Sequence, residues 1–200
     1  MRWFIKFLER NNQNLTQNMN IIWLSGKCGY GKTKLAESLI QDFTKENKKT
    51  CKLDCQDFVD ILVRNLKNKV PLSNMVRYFQ EYDLLVLDDV NLSLSDKRAT
   101  QRELKNVIQE ITENNKTKVI LITQKRARKL RRLKFDSNQC HYVRLKTPLA
   151  DFKRKLVEEW LRQEGLTIPA EKIEAIIEKS DNLFQLKGLF KKATFTKTIK

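Results

Sequence analysis

The sequence predicts an α/β protein built on a parallel sheet, and three stretches carry that prediction. Ile21 to Thr33, IIWLSGKCGYGKT, sets a short apolar run before a glycine-spaced loop, and Leu35, Ala36, Leu39 and Ile40 follow at helical spacing. That is the order strand, loop, helix. Tyr82 to Val90, YDLLVLDDV, is an unbroken apolar run ending in two carboxylates, as suits a central strand buried on both faces. From Pro148 the pattern is purely helical. Two hundred residues at 40% hydrophobic suffice for one such core and a small appendage.

Taken in order, Arg2 to Arg10 can form a short amphipathic helix and Asn11 to Asn20 a polar connector, with the first strand beginning near Asn20. Thr50 to Leu53 reads as a second strand. Asp54 or Cys55 then opens a helix with Phe58, Ile61, Leu62 and Leu66 on its apolar face, and Pro71 ends that segment. Leu72 to Phe79 is a short helix, Ser93 to Lys97 a loop, and Ala99 to Asn114 a long helix with Leu104, Val107, Ile108 and Ile111 inward. Val119 to Thr123 is the fourth strand and His141 to Leu145 a short fifth. Ala150 to Glu164, Ala170 to Lys179 and Asn182 to Phe190 are the closing helices, with Pro169 and Gly188 as punctuation.

The spacing G-x-x-x-x-G-K-T from Gly26 to Thr33 is the phosphate-loop pattern. Its glycines let backbone N–H groups curl around phosphate oxygens while the following helix presents its positive end. Lys32 would reach the terminal phosphates of a nucleoside triphosphate and Thr33 would hold magnesium. The loop residues Gly26, Lys27, Cys28, Gly29, Tyr30 and Gly31, with Lys32, Thr33 and Lys34, are the nucleotide-binding candidates. Asp88, at the end of the apolar run, would orient the same metal, and Asp89 would act as general base on the attacking water. Thr123, a polar residue at the next strand tip, suits contact with the γ-phosphate or the lytic water.

The formal charge is +16 and the sequence pI about 9.8, which favours polyanionic partners. The bases Lys116, Lys118, Lys125, Arg126, Arg128, Lys129, Arg131, Arg132 and Lys134 occur with no acid among them, so residues 116–134 are expected to bind DNA independently of sequence. Cys51, Cys55, Cys140 and His141 match no common zinc spacing and are expected to be ordinary reduced residues. No apolar stretch is long enough for a membrane span, and the chain is expected in the cytoplasm.

The phosphate loop, the LLVLDD strand, the stretch SDKRATQRELKNVIQEITENNKTKVILIT and the terminal DNLFQLKG resemble the AAA+ module of the bacterial DnaA replication initiator family over essentially the whole chain. The resemblance implies a P-loop AAA+ core with a five-stranded parallel sheet flanked by helices, over residues 1–147, and a C-terminal three-helix lid over residues 148–200. It implies ATP and Mg2+ as cofactors, with Lys32, Thr33, Asp88, Asp89 and Thr123 in the roles above. It also implies ATP-dependent homo-oligomers, or hetero-oligomers with a replication protein, in which an arginine acts across the interface; Arg131 and Arg132 are the candidates. The family's helix-turn-helix domain is not expected within a sequence ending at Lys200. Where the family's lid carries an arginine this chain has Phe184, which is expected to pack inward beside Leu183 and Leu186.

The leading expectation is thus a DnaA-like ATPase, slow as a monomer, acting in initiation or regulation of replication. A DnaC-type helicase loader, a transposition helper ATPase, or a nucleotide-binding adaptor without turnover are the alternatives. A small-molecule kinase is opposed by the paired Asp88-Asp89 and the helical C-terminus. A GTPase is opposed by the absence of N-K-x-D, since Asn115-Lys116 is followed by Thr117 and Lys118.

Overall fold

The structure is a computed structural model that describes residues 20–90, 98–124, 133–136 and 138–195. The expected helix at Arg2 to Arg10, most of the connector after it, the loop at Ser93 to Lys97 and the bases from Lys125 to Arg132 lie outside the described residues. The chain divides into two compact units, Met1–Gly26 with Lys32–Arg144, and Lys27–Gly31 with Leu145–Lys200.

The first unit holds a five-stranded parallel sheet. Its strands are β1 (Ile21–Ser25), β2 (Thr50–Asp54), β3 (Leu84–Asp88), β4 (Lys118–Thr123) and β5 (Cys140–Arg144), in the spatial order β2-β3-β4-β1-β5. The three inner strands are the most apolar, because helices cover both faces of a parallel sheet. Leu84, Leu85, Val86 and Leu87 of β3 and Val119 to Ile122 of β4 are all buried. The inner strands carry charge only at their ends, Asp88 on β3 and Lys118 on β4, whereas the edge strands carry Lys52 within β2 and Arg144 on β5, where charge also discourages strand addition. Ser25 pairs with Thr123 and Asp54 with Asp88, so the carboxyl ends of these strands share one end of the sheet. Ligands bind at that end in sheets of this kind.

Among the described residues, four helices pack around the sheet: α1 (Lys32–Lys45), α2 (Cys55–Lys67), α3 (Leu72–Gln80) and α4 (Arg98–Thr112). Asp54 caps α2 by accepting the Gln56 N–H at 2.8 Å, which settles the start at Cys55. That helix buries Cys55, Phe58, Val59 and Leu62, whereas Leu66, expected on the apolar face, is exposed one turn past the last contact. Phe58 meets Phe79 of α3 with ring centroids 4.9 Å apart. On the same face of the sheet, towards the β5 edge, Trp23 stacks on Tyr142 with ring centroids 5.6 Å apart. Helix α4 stops at Thr112, before the expected Asn114, as the chain turns through Asn115 at φ 55°.

The second unit joins loop residues 27–31 to α5 (Ala150–Glu164), α6 (Ala170–Glu178) and α7 (Leu183–Phe195). Its core is Val157, Leu161, Ile168, Ile176, Ile177, Leu186 and Phe190. The buried Lys153 ammonium on α5 donates to the carbonyls of Ile177 and Ser180, capping the end of α6 from a neighbouring helix. Gly188 does not punctuate α7. The buried stripe Leu186, Phe190 and Thr194 runs straight past it, so the helix continues to Phe195. Phe184 does not pack inward either: it is 69% exposed, two positions off that stripe and on the other side of the helix. Among the described residues no helix is long and apolar enough to cross a membrane.

Candidate nucleotide site

The first unit brings Gly26, Lys32, Thr33, Asp88, Asp89 and Thr123 to one end of the sheet. The Gly26 N–H donates to the Thr123 carbonyl at 3.3 Å, fixing the start of the phosphate loop to the tip of β4. Lys32 opens α1 and is buried, with its ammonium donating to the Gly26 carbonyl at 2.9 Å, so the side chain folds back to the residue that follows β1. Thr33 is next, and its hydroxyl donates to Asp88 Oδ2 at 3.0 Å. Two motifs 55 positions apart thereby meet through a hydroxyl and a carboxylate. Hard oxygen donors converging in this way suit Mg2+, which prefers a few protein oxygens and otherwise keeps water or phosphate oxygen.

The other oxygen of Asp88 accepts the Asp89 N–H at 2.9 Å. Asp89 sits at φ 54°, a left-handed conformation that a side chain with a Cβ adopts at some strain. It is held there from both sides, since the next residue, Val90, donates its N–H to the Ile122 carbonyl at 2.9 Å and Gln124 Nε2 lies 3.4 Å from Asp89 Oδ1. Thr123, at the tip of β4, is fully buried. Lys34, by contrast, points away: its exposed side chain pairs with Glu37 at 2.7 Å.

Two groups beside this site escape sequence reasoning. Lys52 on β2 sits 3.9 Å from Asp88 Oδ2 and 3.2 Å from Glu37 Oε1. A hydrogen bond from Lys34, opposed by burial and aided by Lys52, holds the Glu37 carboxyl below its ordinary range. Glu37 is one turn past Thr33, a spacing that could have flagged it; Lys52 becomes visible only once β2 is known to border β3.

In the second unit, Gly29 and Gly31 have φ 78° and 87°, which explains glycine at both places. The Gly29 carbonyl accepts the Leu183 N–H at 2.9 Å, and the Tyr30 hydroxyl is 3.0 Å from Thr147 Oγ1. Lys27 and Cys28 are exposed. Arg131 and Arg132 lie outside the described residues. Cys51 and Cys140 belong to opposite edge strands, and among the described residues no cluster of three metal-binding side chains occurs. Burial pushes the Cys55 and Cys140 thiols up to about 12.

Comparison with known proteins gives this arrangement a family. The family described as the bacterial DnaA ATPase domain matches residues 8–142. A curated relative, the chromosomal replication initiator protein DnaA of Aquifex aeolicus, is 25% identical over 185 residues, covering 90% of this chain and 45% of its own. The chain spans less than half the length of the first curated relatives it matches. AMPPCP-bound DnaA from Aquifex aeolicus superposes with a TM-score of 0.75 at 24% identity, over 98% of this chain and 61% of that one. A replication initiator DnaA bound to AMPPCP and single-stranded DNA gives 0.72 at 23% identity, over 95% and 60%. The DnaC helicase loader is more distant, at 0.52 and 21% identity over 72% of this chain and 87% of the loader. The sheet order, the phosphate loop and the paired carboxylates thus sit on an AAA+ fold, and the chain belongs to the bacterial DnaA ATPase domain family.

Proposed function

We propose that this chain binds ATP with Mg2+ and works as a DnaA-like ATPase module in the initiation or regulation of DNA replication. The observation that carries the reading is the 3.0 Å hydrogen bond between Thr33 and Asp88, with the buried Lys32 ammonium one residue away. Loop residues 26–31 cradle the phosphates, Lys32 neutralises the terminal ones, and Thr33 with Asp88 holds the metal. When bound, Mg2+ draws charge from the phosphate oxygens. Asp89, braced by the Asp88 carboxylate and Gln124, orients and deprotonates the water, and Thr123 holds the γ-phosphate side of the site. Residues 148–200 serve as the lid.

Assembly and DNA binding belong to the same proposal. Arg131 or Arg132 completes the site of a neighbouring copy, which is why the monomer is slow; such arginines contribute about 10³ to 10⁵ in related phosphoryl transfer. The module acts in the cytoplasm and meets DNA through residues 116–134. Two bases of that segment are already engaged, Lys116 with Asp83 at 3.6 Å and Lys118 with Asn20, so the contact falls to those beyond Thr123. The test is the mass of the protein in ATP and in ADP, together with hydrolysis measured with and without single-stranded DNA. Oligomers in ATP alone and DNA-sensitive turnover support the reading. A monomer in both nucleotides with no turnover replaces it with a nucleotide-binding adaptor.

A further inference from the structure

The geometry points to Lys52 as a built-in competitor of the divalent cation, an ammonium placed on the flank of Asp88 that sets how strongly ATP binding depends on magnesium. This rests on the nucleotide reading above and adds a residue that neither motif contains.

The oxygen at issue is Asp88 Oδ2, which accepts the Thr33 hydroxyl at 3.0 Å and has the Lys52 ammonium 3.9 Å away. A divalent cation held by Thr33 and Asp88 would draw on the same carboxylate. The Asp88 side chain is only 20% exposed and that of Lys52 34%, so water screens the two incompletely. A divalent ion and an ammonium beside one carboxylate repel each other, and each weakens the other's hold.

Glu37 holds the ammonium in a middle position. Its carboxylate is nearer to Lys52, at 3.2 Å, than Asp88 is, and it is itself anchored by Lys34 at 2.7 Å. The run Lys34, Glu37, Lys52, Asp88, Thr33 therefore alternates in charge up to the hydroxyl, and it crosses from α1 to the edge strand β2 to the inner strand β3. The ordinary role of a lysine on an edge strand, keeping other strands away, needs no contact with Asp88. Lys52 makes that contact. Without metal the ammonium compensates the carboxylate, so ATP enters a site that is not bare; with metal Lys52 must swing towards Glu37, and part of the metal's affinity is lost.

The test is the ratio of ATP dissociation constants in EDTA and in excess Mg2+, by calorimetry at about 0.1 M salt, with melting temperatures recorded alongside. Replacing Lys52 by methionine keeps the apolar stem and removes the charge. We expect Lys52→Met to raise the ratio about three- to tenfold, as removal of one partly screened positive charge near a dication implies. Lys52→Arg should stay within about twofold of wild type, since it keeps the charge. Glu37→Gln should lower the ratio, because Lys52 is then left to Asp88 alone. A Lys52→Met ratio equal to wild type overturns the inference, whether or not the melting temperature moves. Wild-type protein that binds no ATP even with Mg2+ overturns the nucleotide reading and this inference with it.

Discussion

The backbone N–H of Leu183 donates to the carbonyl of Gly29 at 2.9 Å, and Asn182 lies so close that a Cβ on Gly29 would stand 2.8 Å from its Oδ1. The loop tip and the start of α7 are thus one packed object. Asn182 is also the cap of that helix, accepting the N–H groups of Phe184 and Gln185 at 3.0 Å, and so cannot simply rotate away.

Gly29→Ala is therefore expected to be severe. Its φ of 78° carries a left-handed penalty of about 1–2 kcal/mol, and the collision adds about 1–3 kcal/mol. Gly165→Ala is the control, with φ 63° and nothing within 4 Å of an added Cβ. Thermal melts of the two variants should differ by the packing contribution alone; equal losses would mean that Asn182 yields freely.

Lys32→Ala should weaken ATP binding by about a hundredfold or more, the scale of a lost charge-assisted contact to phosphate. Asp89→Asn should leave affinity within about threefold and lower turnover by about 10² or more. Asparagine tolerates the φ of 54° that this position adopts, so the fold should be unaffected. Calorimetry and a phosphate-release assay separate the two effects, and wild-type binding by Lys32→Ala would show the loop to be misassigned.

How much of this was legible in the sequence depends on the range of the interaction. Strands β3 and β4 are continuous apolar runs, and their burial follows from composition. The start of α2 follows from Asp54, a local signal, and the bounds of α5, Ala150–Glu164, follow from its helical pattern. Phe184 was misjudged because adjacency to Leu183 and Leu186 is not the same as sharing their face, which only the stripe through Leu186, Phe190 and Thr194 defines. The Lys52 to Asp88 contact was invisible for a different reason: strand order is set by tertiary pairing, and nothing within TCKLD says that its neighbour will be LLVLD.

Thiol labelling should read the structure directly. Cys55 and Cys140 are buried, with thiols pushed up to about 12, and burial raises Cys51 as well. Cys28 is exposed in the phosphate loop. One maleimide per native chain at pH 7.5 is expected, on Cys28, with ATP and Mg2+ slowing it about tenfold or more on the mass-action scale of a covered site. Modification of Cys140 first in a peptide map would show that the edge strand opens.

DNA binding should ignore sequence and fall steeply with salt. With about five phosphate contacts, log K should decline with log salt at a slope near −4 to −5 on duplex. Charge reversal of Lys125, Arg126, Arg128 and Lys129 should flatten the slope. Lys118→Ala should not, because its ammonium is already given to Asn20 and burial lowers its pKa. A strong preference for one short duplex over a scrambled one would overturn this account.

The last prediction concerns Phe184, whose place the family resemblance gives to an arginine reaching the γ-phosphate. Phenylalanine offers no charge-assisted hydrogen bond, and Lys187 could replace the guanidinium only as a flexible point charge. Wild-type protein is therefore expected to bind ATP and ADP with similar dissociation constants in the presence of Mg2+. Phe184→Arg should sharpen the preference for ATP. Because Phe184 is 69% exposed, little packing is lost in that exchange. What remains is a cation placed in the first turn of α7, where the positive end of the helix opposes it by about 0.3–1 kcal/mol. The variant should thus melt within a few degrees of wild type while its nucleotide preference changes. Calorimetric titration with both nucleotides decides the matter. A wild-type preference for ATP above about tenfold, or about 1.4 kcal/mol, would assign the sensing to another residue.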